Sequence, residues 1–180
     1  MSTKKKAAIS PLYTIKAVII LDSEGQRIAA KYATFSELLK PKDQVAFEKK
    51  LTLKASKAPN EVMLIDDAMV LYRALGDIHV FIVGGIEENE LLLLNVLNVF
   101  CDSLQIVLGE DVSKQVAMDS LDSVLLLIDE LVDDGIILET DPNLIAERAT
   151  MRNSAEPSIP EQTLTQAFML AKDQLIKALR

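Results

Sequence analysis

Residues Asn89 to Leu108 read NELLLLNVLNVFCDSLQIVL, and no other segment restricts the possible folds so tightly. Set at about 100° per residue on a helix, Asn95, Asn98, Asp102 and Gln105 fall within roughly 40° of one line. Apart from Ser103, the body of the helix outside that line is apolar, an arc of roughly 240°, and Leu91 falls on the line itself. A helix that lies on a sheet and otherwise faces water needs an apolar arc of only about 100° or somewhat more. Either this helix is central and buried inside its own domain, or a second protein covers part of it. The second reading is favoured, because a domain of 180 residues has few layers with which to enclose a helix. It makes Leu92, Leu93, Val96, Leu97, Phe100 and Leu104 a partner-binding surface, joined by Leu126 and Leu127 of a second apolar helix.

The rest of the chain is consistent with one folded domain. Hydrophobic residues make up 49% and charged residues 26%, without a break in composition that would mark a second domain. With no Trp, the core must be built from Leu, Ile and Val. A net charge of −8 repels phosphate backbones and anionic lipid, so neither nucleic acid nor direct membrane insertion is expected. The four polar residues that interrupt the long apolar run also argue against a membrane span. Lys4-Lys5-Lys6 lies in a polar leader over 1–10 and reads as a frayed terminus. A single cysteine, Cys101, forms no internal disulfide and fits a reducing, cytosolic setting.

The order of elements is strands first and helices after. Leu12 to Leu21 is β-branched and continuously apolar at its end, as in a strand covered on both faces. Asp22-Ser23-Glu24-Gly25 reads as a turn in which Gly25 supplies a positive φ, and Gln26 to Ala33 returns as the second strand. Pro41 opens a helix with Val45, Phe47 and Leu51 as its apolar contacts. Three strands follow, Glu61 to Ile65, Met69 to Leu75 and Ile78 to Val83, separated by Asp66-Asp67 and Gly76-Asp77. After the long apolar helix, a second one is predicted from Ser113 to Asp134, with Gly135 as its left-handed C-terminal cap. Asp141 and Pro142 occupy the N-cap and first position of a third helix. A domain over 11–153 is expected, then a linker and final amphipathic helix over 154–180. Five strands in a two-then-three order, followed by helices, predict an α+β domain with a mostly antiparallel sheet.

Residues for chemistry are sparse. His79 alternates with Phe81 and Val83 as an ordinary strand residue, and Cys101 lies within the apolar helix as an inert thiol. Asp66-Asp67, Glu87-Glu88-Glu90 and Asp133-Asp134 lack the spacing of a calcium loop and read as charges at turns and helix ends. Gly84-Gly85 lacks the further residues of a phosphate loop. No catalytic residue, metal or cofactor is predicted. Tyr32 to Phe35 and Glu87 to Leu92 match short sorting-signal patterns, yet both sit in or beside structured elements.

LYTIKAVIILDSEGQRIAAKY (Leu12 to Tyr32), ENELLLLNVLNVFCDSL (Glu88 to Leu104) and IDELVDDGIILETDP (Ile128 to Pro142) together resemble the zeta subunits of the coatomer. The resemblance runs from about Leu12 to Arg180, and its last segment is the most specific. It implies a longin-like fold, a five-stranded antiparallel sheet with helices on both faces. It also implies a non-enzymatic coat subunit in Golgi–endoplasmic reticulum transport, cytoplasmic and peripheral on Golgi membranes and vesicles. Its implied partner is the large gamma subunit, a helical solenoid; the rest of the coatomer and an Arf-family GTPase join indirectly. The sigma subunits of clathrin adaptors are the rival family. The polar leader, Lys31-Tyr32-Ala33 in place of a Trp-Tyr pair, and the extra C-terminal helix favour zeta. Ala33 departs from the paired aromatic of many zeta chains, which puts any role of that aromatic in doubt. A small α+β enzyme of unrecognised site is the remaining alternative.

Overall fold

An extra residue near the start of the first strand, Ile15–Asp22 (β1), decides which face each of its side chains takes. Ile15 pairs with Gly84 and Ala17 with Val83, which leaves Lys16 bulged. The bulge places Ile15 with Val18 and Ile20 on one face, and Ala17, Ile19 and Leu21 on the other. Both faces are covered, which accounts for the unbroken apolar run. The computed structural model describes residues 14–55 and 62–154, with side chains to Thr150. The expected leader at 1–10 and the final helix at 161–180 lie outside the described residues.

β1 turns into Arg27–Tyr32 (β2) through Gly25, whose φ is +80° as predicted. The Asp22 carboxylate fixes this turn by accepting from the N–H groups of Glu24 and Gln26 at 2.9 and 2.7 Å. The helix Pro41–Ala55 (α1) then crosses one face of the sheet, burying Phe47 and Leu51. Val45, expected as a third core contact, is instead 47% exposed. Two residues before Phe47 on a helix, it points roughly 160° away.

Val62–Ile65 (β3), Ala68–Leu75 (β4) and Ile78–Gly85 (β5) complete a five-stranded sheet of order β2-β1-β5-β4-β3. Every neighbouring pair is antiparallel, as predicted. Asp66-Asp67 and Gly76-Asp77 form the two hairpin turns, with positive φ at Asp66 and Gly76.

The opposite face carries the remaining helices: Glu90–Leu108 (α2), Lys114–Asp119 (α3), Leu121–Leu131 (α4) and Pro142–Ser154 (α5). Asn89 caps α2 by accepting from the Leu91 N–H at 2.9 Å. Asp141 caps α5 through the Asn143 N–H at 2.9 Å, with Pro142 in the first position as expected. A boundary between two compact units falls after Thr150, inside α5.

The single helix predicted over 113–134 is two helices and part of a hairpin. Asp119, whose carboxylate accepts from the Gln115 amide, and Ser120, which has left helical geometry with φ −117° and ψ 34°, stand at the break between α3 and α4. Beyond α4, Val132–Asp133 (β6) pairs with Ile136–Ile137 (β7). Asp134 and Gly135 form the two-residue turn between them, with φ of +42° and +89°. Gly135 therefore turns a hairpin and does not cap a helix. Its carbonyl accepts from the N–H groups of Thr14 and Ile15, tying the hairpin to the start of β1.

Candidate interaction surface

Most of the apolar circumference of α2 is absorbed by the domain itself. Its core cluster joins Val18, Ile20, Leu71, Val80 and Ile82 of the sheet to Val124, Leu127, Ile128 and Leu131 of α4. Ile145 and Ala149 of α5 belong to the same cluster, and the Ser103 hydroxyl reaches the Pro142 carbonyl at 3.4 Å. A sheet face with a helix on either flank covers three sides. Asn95, Asp102 and Gln105 point outward on the remaining side, and half-buried Asn98 accepts from the Arg73 guanidinium at 2.6 Å. By length and composition α2 is apolar enough to cross a membrane; here it packs into the core of the domain.

This placement corrects the partner surface read from the sequence. Leu93, Val96, Leu97, Phe100, Leu104 and Leu127 are each 0% exposed, so they offer a partner nothing to touch. Leu92 and Leu126 are half-buried. The middle of this helix gives no ground for requiring a second protein; uncovered apolar surface is left at its ends, at Leu91 and Ile106. The sequence missed the cover because α5, read as a short helix, sends Ile145 and Ala149 back into the core.

The exposed apolar residues lie elsewhere. Leu91 and Ile106 stand at the two ends of α2, 74% and 51% exposed. Leu144, in the first turn of α5, and Leu138, just before it, are also exposed. The Ser103–Pro142 contact brings the C-terminal half of α2, which carries Ile106, to the start of α5, which carries Leu144. α4 shows solvent Asp122, Leu125 and Asp129, and α3 shows Met118. On the far side of the sheet, α1 shows Lys42, Val45, Lys49 and Leu53. A cavity of about 590 Å³ opens beside it against the β1–β2 turn, lined by Gly25, Arg27, Val45, Glu48, Thr52 and Leu53.

Several polar groups singled out in the sequence make contacts within the fold. Tyr32 lies in β2 and donates its hydroxyl to Glu48 at 2.8 Å, and Arg27 pairs with the same carboxylate. Burial and the Glu48 charge push the Tyr32 phenol above its ordinary pKa. His79 stacks with Tyr72 and Phe81, at centroid distances of 6.4 and 6.3 Å. Asp66 pairs with Lys50 at 2.8 Å. The Asp134 carboxylate accepts from both the N–H and the hydroxyl of Thr34 at 2.6 Å, and these bonds hold its pKa below the ordinary value. Among the described residues, no group of three or more His, Cys, Asp or Glu side chains is arranged to hold a metal ion.

Comparison with known proteins places this architecture. Coatomer subunit zeta-1 of Oryza sativa subsp. japonica is 40% identical over 171 residues, covering 92% of this chain and 96% of that protein. Coatomer subunit zeta-2 of Arabidopsis thaliana is 39% identical over 170 residues, 92% and 94% of the two chains. Coatomer subunit zeta-1 of Homo sapiens is 37% identical over 166 residues, 91% and 92% of the two. A chain in a homology model of the full-length AP-3 complex in a stretched open conformation superposes with a TM-score of 0.63. That superposition covers 82% of this chain and 98% of the other at 17% identity, a likeness of fold. The sequence pattern of clathrin adaptor complex small chains matches residues 14–156, and it is to this family that the chain belongs.

Proposed function

We propose that this chain is the small, non-enzymatic subunit of a coatomer-type vesicle coat, held against the large gamma subunit in Golgi–endoplasmic reticulum transport. The observation that carries the reading is the 37–40% identity to coatomer zeta subunits along nearly the whole of both sequences. The chain serves as a rigid block: two apolar layers around a five-stranded sheet make a body that a larger subunit can grip without reshaping it. Attachment to the membrane comes through the assembled coat and an Arf-family GTPase, since the chain's net charge of −8 opposes anionic lipid.

The gamma subunit docks on the apolar residues left exposed at the α2–α5 flank, Ile106 and Leu144, with Leu138 beside them. The test is co-purification of the gamma subunit with Ile106→Asp and Leu144→Asp chains. Both positions are solvent-exposed, so the variants fold, and loss of the large subunit is the expected result. Retention by the double variant would move the docking site elsewhere. Failure of the unaltered chain to bring down any gamma subunit would overturn the function.

A further inference from the structure

We infer that copies of this chain associate head to tail, the outer face of α1 on one copy seating on the outer face of α4 on the next. On α1 the residues Lys42, Val45 and Lys49 are exposed, and on α4 so are Asp122, Leu125 and Asp129. Both sets follow the spacing i, i+3, i+7, which puts each on one stripe of its helix. Laid side by side in the same direction, Lys42 faces Asp122, Val45 faces Leu125 and Lys49 faces Asp129. Opposite charges flank an aliphatic pair along two turns.

The stripes are available for this contact. Among the described residues, Lys42, Lys49 and Asp122 enter no ion pair. Asp129 pairs with Lys31 through one oxygen at 2.7 Å, and its side chain remains 61% exposed. Val45 and Leu125 are 47% and 45% exposed, large aliphatic groups in the middle of otherwise charged stripes.

A second copy is the occupant because this one chain carries both complementary halves. A lipid surface fits less well, because the chain's net charge of −8 opposes anionic headgroups. α1 and α4 lie on opposite faces of the sheet, so the contact is heterologous and leaves one stripe open at each end of a pair. Such a contact propagates. Two helical turns bury little area, so association is weak between free copies and strengthens when many are held together.

Sedimentation velocity of the full chain over a wide concentration range tests this, with Lys42→Glu/Lys49→Glu and Asp122→Lys/Asp129→Asn as variants. The unaltered chain should sediment faster as concentration rises, and less so at high salt. Each variant alone should associate about tenfold more weakly. An equimolar mixture of the two should regain association, because the unaltered α1 of the second meets the unaltered α4 of the first, and the acidic α1 of the first meets the altered α4 of the second; globally unfolded variants could not produce that rescue. A chain that stays monomeric throughout, variants that associate like the original, or a mixture without rescue would each overturn the inference. So would loss of the gamma subunit from the α1 variant, which would make that subunit the occupant.

Discussion

The Lys114 ammonium lies 2.7 Å from the Asp22 carboxylate, whose side chain is only 2% exposed. This pair fastens the first residue of α3 to the end of β1, across 92 residues of chain. Burial alone would raise the Asp22 pKa; the Lys114 hydrogen bond and the Gln26 and Glu24 N–H groups outweigh it and hold the pKa below the ordinary value. A carboxyl depressed in the fold stabilises it fully above the unfolded-chain value of about 4, and that stability disappears as pH falls through the lower folded value. Asp22→Asn should cost about 1–2 kcal/mol at neutral pH and flatten the acid limb of the stability profile. Urea unfolding between neutral pH and pH 3 measures both effects.

Leu97 separates the core reading of α2 from the interface reading. It is 0% exposed, so Leu97→Ala should lower stability by about 2–5 kcal/mol whether or not a partner is present. Ile106→Asp, at a position 51% exposed, should cost less, about 1 kcal/mol, from the half-buried isoleucine, the helix C-terminus and the Asp102 charge one turn away. Denaturant midpoints of the chain alone decide this. Equal losses from the two changes would contradict the burial described here.

Gly135 shows where local pattern misled. A helical run ending in glycine reads as a capped helix, yet the Asp-Gly pair at 134–135 is also a strong signal for a two-residue hairpin. Its φ of +89° disfavours any side chain, and an added Cβ would stand 2.7 Å from the Ile15 carbonyl oxygen and press on the Phe35 ring. Gly135→Ala should destabilise the domain by about 1–3 kcal/mol. Hydrogen exchange should then show the Thr14 and Ile15 amides losing protection first. Unchanged protection there would mean the turn does not anchor β1.

Elements governed by their own residues were legible in advance. The Asp22–Gly25 turn, the polar line on α2 and the Asp141-Pro142 start of α5 are local, and each was read correctly. What the sequence concealed is lateral. Whether α4 and α5 close on both flanks of α2 depends on how four helices share one sheet face, and no periodicity within α2 records that. The Lys16 bulge is equally silent, because Ile15, Ala17 and Val18 read as one apolar run whichever face each takes. The partner surface was therefore placed on residues that the chain had already used for its own core.

Cys101 reports on opening of the same core. It is 0% exposed, and burial pushes its thiol up to about 12, with Arg73 pulling the other way and Asp102 adding slightly. Only the thiolate attacks disulfide and alkylating reagents, so at pH 8 the folded chain has neither the charge nor the access to react. As the single cysteine of the sequence, it gives an unambiguous signal. An aromatic disulfide reagent should release no colour from the native protein on the minute scale and one equivalent in denaturant. Leu97→Ala lies one turn away on α2 and should speed the native reaction about tenfold for every ~1.4 kcal/mol of stability it removes. Fast labelling of the unaltered chain, with its circular dichroism intact, would mean that α2 leaves the sheet without global unfolding, and its place as the central core helix would have to be abandoned.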